Sequence, residues 1–412
     1  MSTPARSGPP PAGHDPEIPA PAAPGAGQEE IRRQNLGAVL RYVHLHGPTS
    51  RAELTIRLGL NRSTIGALAA DLAAAGLVTE EAPTTARRAG RPSLVVSPRA
   101  GGVYAQALSI EPDRLRAACI GLGGRVLDLR EVGRPPGMSS ADAVGPLARL
   151  VRDMERGLAA GARCAGGAVA VADTTRDAGG RIRIGRADEE LAAALSAGFP
   201  SGPGFVAGDT ADIAALAEHV RGVAAGLDDV VYLHGDLGIS AGIITGGRLV
   251  TGHRGHSGKV GHMVVNPRGV ACGCGSRGCW ETESGAAALL RHAGRDPAEP
   301  GAVLEVLRAA ARGDRTARAA VHRVADWLGF GVATLVNVVN PSLVVFGGSL
   351  REVYAAGAGV VRRRLDGIAL PASRERVRLR AAALGRDAVL IGAGELAFDQ
   401  LLADPLNAGV AG

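Results

Sequence analysis

Between residues 29 and 98 the apolar positions follow a helical repeat that stops and restarts at short turns. Leu36, Val39, Leu40 and Val43 recur at i, i+3, i+4 and i+7, and Gly47-Pro48 closes that helix. Ser50-Arg-Ala-Glu53 has the form of a capping box and opens a second helix running through Leu58. Gly59-Leu60-Asn61 makes a turn, and Asn61 stands at the N-cap of a third helix from Arg62 to Ala75. That helix buries Ile65, Leu68 and Leu72 and stops at Gly76. Two helices joined by a short glycine-bearing turn form a helix-turn-helix. Leu77-Val78-Thr79 and Leu94-Val95-Val96 flank the basic loop Arg87-Arg88-Ala-Gly90-Arg91-Pro92 and are expected to pair as a wing. Residues 29–98 therefore read as a winged helix-turn-helix. Residues 1–28, rich in Pro, Ala and Gly with no apolar pattern, read as disordered.

From Val103 onward the pattern changes. Val103 to Leu108, Leu115 to Ile120 and Val126 to Leu129 are short strand-like runs, and a helix is expected around Ala143 to Ala160. An apolar strand follows at Ala168 to Ala172, then a helix from Ile213 to Ala225, strands at Val230–Leu233 and Ser240–Ile244, and a strand at Leu343–Phe346. A helix near Ala388–Leu402 is expected to pack back on the first part of this region, the first lobe. Strands alternating with helices make residues 103–405 an α/β body.

Charge adds a partner to this picture. The formal net charge is +6, almost all of the base is arginine, and the sole lysine is Lys259. That excess is compatible with nucleic acid. Double-stranded operator DNA would meet the first turn of the third helix, which puts Arg62, Ser63 and Thr64 nearest the base edges. Gly66-Ala67 offers that helix little further readout, and Arg91, between Gly90 and Pro92, can reach a narrow minor groove instead. No stretch is apolar and long enough to span a bilayer, and the proline-broken start has no signal-peptide core. The expected location is the cytoplasm.

One stretch concentrates ligand chemistry: His262-x9-Cys272-x-Cys274-x4-Cys279, with glycines between the thiols. A Cys3His set closes a tetrahedral Zn²⁺ shell and leaves no open position, so a structural zinc ion is expected. Cys119 and Cys164 lie in apolar surroundings and read as small core residues.

The same stretch carries a resemblance. Gly261-His262, Pro267, Gly269, Cys272-Gly-Cys274-Gly and Gly278-Cys279-Trp280-Glu281 resemble the signature of the ROK family, which groups repressors, open reading frames and sugar kinases. Ser50-Arg51 and Gly90-Arg91-Pro92 resemble the corresponding pairs in the DNA-binding heads of ROK repressors, and this adds Arg51 to the expected DNA contacts. The resemblance implies a two-lobed actin-like (ribonuclease H-like) fold for the body, with the zinc loop inside it.

It also implies where a kinase site would be, and there the chain departs from the family. The Asp-x-Gly-Gly-Thr phosphate loop of ROK kinases corresponds to Ser109-Ile110-Glu111-Pro112-Asp113, which has no glycine, lacks one amide and carries two carboxylates. Anchored on Ala214-Ala215-Leu216-Ala217-Glu218, the catalytic aspartate position is Thr210, although a one-residue slip would make it Asp209. The second phosphate loop reads Asp236-Leu237-Gly238. Phosphoryl transfer needs amides, cations and a carboxylate base, so the chain is expected not to be an enzyme. In the sugar pocket the resemblance implies an effector site of Asp209, Thr210, Lys259, His262 and Glu281, with Lys259 where relatives carry Glu. Two outcomes follow: Lys259 pairs with Glu281 and fills the pocket, or it recruits an anionic sugar derivative.

The reading is a ROK regulator, acting as a repressor, that binds operator DNA as a homo-oligomer (dimer or tetramer) and responds to a sugar or sugar derivative. The alternatives are a ROK sugar kinase with an appended head, and a regulator controlled by a protein partner.

Overall fold

The computed structural model describes residues 27–83, 93–172, 174–176, 182–184, 187–199, 204–236, 238–296, 299 and 301–407. The tail expected to be disordered lies outside these residues up to position 26, as does the Arg87–Pro92 loop.

The head is built from α1 (Gln28–His46), β1 (Thr49–Ser50), α2 (Arg51–Leu58), α3 (Arg62–Ala74), β2 (Val78–Glu81) and β3 (Val95–Pro98). Both expected caps form: Ser50 Oγ accepts from the Glu53 amide at 3.1 Å, and Asn61 Oδ1 from the Thr64 amide at 2.8 Å. β2 and β3 pair antiparallel with Glu81 opposite Val95, one to two residues beyond the expected strands, and β1 joins the other edge of β3. Leu40, Val43, Leu54, Ile65, Leu72 and Val96 form the centre of the head, each fully buried.

The body has two sheets. The first runs β4 (Val103–Ile110), β5 (Arg114–Gly121), β6 (Arg125–Gly133), β7 (Arg163–Val171) and β10 (Phe205–Asp209), in the order β10-β7-β4-β5-β6. Between β7 and β10 come the hairpin of β8 (Thr174–Arg176) and β9 (Ile182–Ile184) and helix α5 (Ala187–Gly198). Helix α4 (Ser140–Glu155) covers one face of this sheet with α5. Helices α6 (Thr210–Arg221) and α13 (Ala388–Ala403) cover the other. The second sheet, in the order β13-β12-β11-β14-β15, holds β11 (Val230–Gly235), β12 (Ile239–Thr245), β13 (Arg248–Leu249), β14 (Leu343–Gly348) and β15 (Arg378–Ala381). Its outer face carries α7 (Trp280–Ser284), α8 (Ala286–His292), α9 (Ala302–Ala311), α10 (Arg315–Val339), α11 (Ser349–Ile368) and α12 (Pro371–Arg374), centred on α10.

Alternation in each central strand explains the layering. Ala105, Ala107, Ala118 and Ile120 face α6 and α13, while Leu108, Leu115, Ala117 and Cys119 face α4. In β11, Val230 and Tyr232 point to α6, and Val231 and Leu233 to α10. Helix α6 therefore lies between the two sheets and touches both. The expected C-terminal helix does pack on the first lobe, but it also receives the head. One continuous core runs from Leu36 and Leu40 of α1 through Phe398 and Leu401 of α13 to Ala214 of α6. Among the described residues no helix is long and apolar enough to cross a membrane.

Candidate functional site

The five positions expected at an effector site converge on one cleft between the lobes. It encloses about 620 Å³, open solvent included, and is lined by Asp209, Thr210, Lys259, His262 and Glu281 together with Glu111, His234 and Asp236. The sheets explain the convergence. Strand β10 ends at Asp209, which caps α6 by accepting the Ala211 amide on Oδ1 at 2.8 Å. Strand β11 brings His234 and Asp236, and the loop after β13 brings Lys259 and His262.

Lys259 does not pair with Glu281. Its Nζ donates to Asp209 Oδ2 at 2.9 Å, so the chain's one lysine ties the second lobe to the N-cap of α6. The two partners stand 50 positions apart in the chain, and both belong to the set of five expected at the effector site. Glu281 faces the cysteine loop instead, with Oε1 at 3.2 Å from Cys272 Sγ and 3.8 Å from His262 Nδ1.

The lining is acidic, with Glu111, Asp209, Asp236 and Glu281 against Lys259. Burial raises the Glu111 carboxyl above its usual range, opposed by Arg116 and reinforced by Asp236. Burial works against a charged His234, yet Asp236, whose Oδ2 lies 2.8 Å from Nε2, raises that imidazole overall. An anionic ligand would meet these carboxylates and a lysine already bound to one of them. The geometry opposes the anionic alternative.

In the loop Ser109–Asp113, Asp113 accepts Nε and Nη2 of Arg114 at 2.9 and 2.6 Å, while Arg116 of the next strand donates to Asp387 and to the Arg386 carbonyl, both at 2.6 Å. The two arginines beside this loop are thus occupied by their own chain.

The cysteine loop has the geometry of a metal centre. The ligand atoms of His262, Cys272, Cys274 and Cys279 all lie within 4.8 Å of one another. Cys274 and Cys279 sulfurs are 3.6 Å apart, and Cys272 Sγ is 3.7 Å from His262 Nδ1. Sulfurs bound tetrahedrally at about 2.3 Å from a metal stand roughly 3.8 Å apart, close to these two separations, so the set is compatible with a bound ion. The loop is fastened by the bridges Val264↔Cys279 and Ala271↔Arg277 and by Trp280, fully buried, whose Nε1 donates to the Trp327 carbonyl at 2.8 Å. Cys119, and Cys164 less completely, are packed into the first lobe as expected.

On the head, Arg62 and Ser63 are exposed at the start of α3 and Thr64 is half-buried, with Ser63 Oγ donating to Asn61 Oδ1 at 2.7 Å. Arg51, expected among the DNA contacts, is tied within the head by an ion pair. Its Nε donates to Glu80 Oε1 at 2.6 Å, and a Cβ built on Gly66 would lie 3.3 Å from its Nη1. Arg51 therefore braces α2 against β2 across the face of α3, and the small residue at position 66 leaves room for it. The sequence signal was present, since Glu80 stands among the acids at the end of β2, but nothing local joined it to Arg51. Arg91 lies outside the described residues.

Comparison with known proteins agrees with this construction. Residues 107–400 match the ROK family. The xylose repressor of Bacillus subtilis strain 168 is 23% identical over 383 residues, 92% of this chain and 98% of that repressor. The glucokinase of Halalkalibacterium halodurans is 32% identical over 205 residues, which covers 46% of this chain and 62% of the enzyme. The solved structure of a ROK family transcriptional regulator, a homolog of the E. coli MLC protein, has a TM-score of 0.73 at 23% identity and covers 92% of this chain and 98% of its own, a likeness of fold. The family's match takes in both sheets, the cleft and the whole cysteine loop, and on that ground the chain belongs to the ROK family.

Proposed function

We infer that this protein is a DNA-binding transcriptional regulator that acts as a repressor, with a body that senses and assembles but does not transfer phosphate. The observation that carries this reading is the head: three helices, two of them with side-chain N-caps, and a hairpin precede the ROK body, in a chain aligned over 98% of a repressor's length. The head, residues 29–98, is assigned as a winged helix-turn-helix. Its third helix enters the major groove by the turn that presents Arg62, Ser63 and Thr64. A homo-oligomer of such heads reads a pseudo-palindromic operator. His262, Cys272, Cys274 and Cys279 hold one structural Zn²⁺, and the cleft takes a sugar or sugar-derived effector.

Arg62→Ala tests the docking. If Arg62 reads a base, affinity for the operator falls by about 1–3 kcal/mol and specificity relaxes at one position per half-site. Equal affinity of parent and variant on every sequence would remove α3 as the reading element.

The kinase alternative has a separate test. Asp209 caps α6 through Oδ1 and holds the Lys259 ammonium through Oδ2, so both carboxylate oxygens are already engaged within the chain. With ATP and a panel of neutral hexoses, a coupled assay is expected to read no turnover. Turnover abolished by Asp209→Ala would restore the enzyme reading.

A further inference from the structure

Helix α6 has a functional group at each end, and only the first belongs to the cleft. At its start Asp209 joins the N-cap to Lys259. At its end Arg221 donates through Nε to Glu395 Oε1 of α13 at 2.6 Å and through Nη2 to the His44 carbonyl of α1 at 3.2 Å. His44 Nε2 lies 2.8 Å from Glu395 Oε2, and the Gly123 amide donates to His44 Nδ1 at 3.0 Å. Arg221 Nη2 lies 2.7 Å from the same His44 Nε2, so that nitrogen sits between the guanidinium and the Glu395 carboxylate. His44 is fully buried and Glu395 is nearly so. This cluster is where the head, α13, α6 and the turn after β5 meet.

The helix between these ends is firmly held. A Cβ on Gly392 of α13 would lie 1.9 Å from the Ile213 carbonyl oxygen, and one on Gly242 of β12 would lie 2.4 Å from Ala215 Cβ. Backbones this close leave α6 no room to bend, so its 12 residues move as one rod about 18 Å long. Displacing Asp209 from Lys259 at one end must shift Arg221 at the other, or break its bonds to the head.

We propose that α6 is the strut through which the cleft acts on the DNA-binding head, with Arg221, Glu395 and His44 as the joint at its far end. This rests on the regulator reading. Arg221 and Glu395 are positioning residues: they touch neither effector nor DNA and set where α1 sits. The second lobe holds Lys259 and the first holds most of the joint, so any ligand that changes the separation of the lobes pulls on the rod.

The test is a double-mutant cycle on the full-length protein. Lys259→Met frees the cleft end, and Arg221→Met or the near-isosteric Glu395→Gln opens the joint. Two readouts are taken: hydrogen exchange of the α1 amides without DNA, and the dissociation constant for a bound genomic fragment. Lys259→Met alone is expected to change both by about fivefold or more. In either joint variant the same substitution is expected to change them by less than about twofold. A merely structural joint would alter the starting values and leave the factor from Lys259→Met intact, and that result overturns the proposal. So does an α1 exchange rate that Lys259→Met leaves unchanged in the parent. If Arg221→Met does not fold, Glu395→Gln carries the cycle. If the parent binds no DNA fragment, the regulator reading fails, and the exchange cycle still decides whether α6 couples the two ends.

Discussion

Replacing Cys272, Cys274 and Cys279 together with serine is expected to yield a protein without bound zinc and with an unfolded loop from His262 to Cys279. Short backbone hydrogen bonds such as Cys272 N to the Ser276 carbonyl and Gly278 N to the Val270 carbonyl fold the loop on itself, but Cys274 is exposed and no regular strand or helix runs between His262 and Cys279, so a metal adds the cross-link that an apolar core would otherwise supply. Apparent binding energies of structural zinc in small domains reach roughly 10–16 kcal/mol, and here much of that is the energy of ordering the loop. The loss spreads inward because Glu281 and Trp280 follow Cys279 directly: one lines the cleft and the other packs beneath α10. Metal analysis of the parent should give one zinc per chain. Acidification should release it, because the ligands must be thiolates and a neutral imidazole. Full metal content in the triple variant would eliminate this ligand set.

Glu395→Ala is expected to be the most damaging single substitution on the other side of the molecule, at about 3–5 kcal/mol. Removing one partner of a buried ion pair strands the other, here Arg221, with His44 losing its carboxylate partner as well. Burial alone would raise the Glu395 carboxyl, but its bonds to His44 and Arg221 bring it below its ordinary value of 4.5. The sign follows from that lowering. The carboxylate's contribution is fully present above 4.5 and is given up as the pH falls through the lower folded value. Urea unfolding of parent and variant should therefore differ most near neutral pH and converge on acidification. A constant difference across that range would place the cost in packing rather than in the charge.

Much of this architecture was written locally. The caps at Ser50 and Asn61 and the apolar repeat of α1 specify the head by residues within one or two turns of each other. The cysteine loop is likewise a matter of spacing within eighteen residues. What escaped depends on contacts between distant segments. Lys259 finds Asp209 only because β10 ends where the loop after β13 passes, and Arg51 finds Glu80 only once β2 has folded back along α3. Strand β15 escaped because its Arg-Leu-Arg-Ala run buries only Leu379 and reads as polar. The joint had one legible sign. His44 stands one turn after Leu40 on the buried face of α1, where an imidazole needs a partner, but Glu395 lies 351 positions away.

Whether this ROK protein reads DNA through its head can be decided by selection from its own genome. Full-length protein is mixed with sheared genomic DNA across a salt series, and the bound fragments are sequenced. A small set of fragments sharing a pseudo-palindrome is expected, with half-sites one or two helical turns apart, about 10 or 20 base pairs. Their retention should fall steeply as salt rises, because phosphate contacts release counterions. Recovery of no fragment in preference to bulk DNA at any salt concentration would contradict DNA reading by the head.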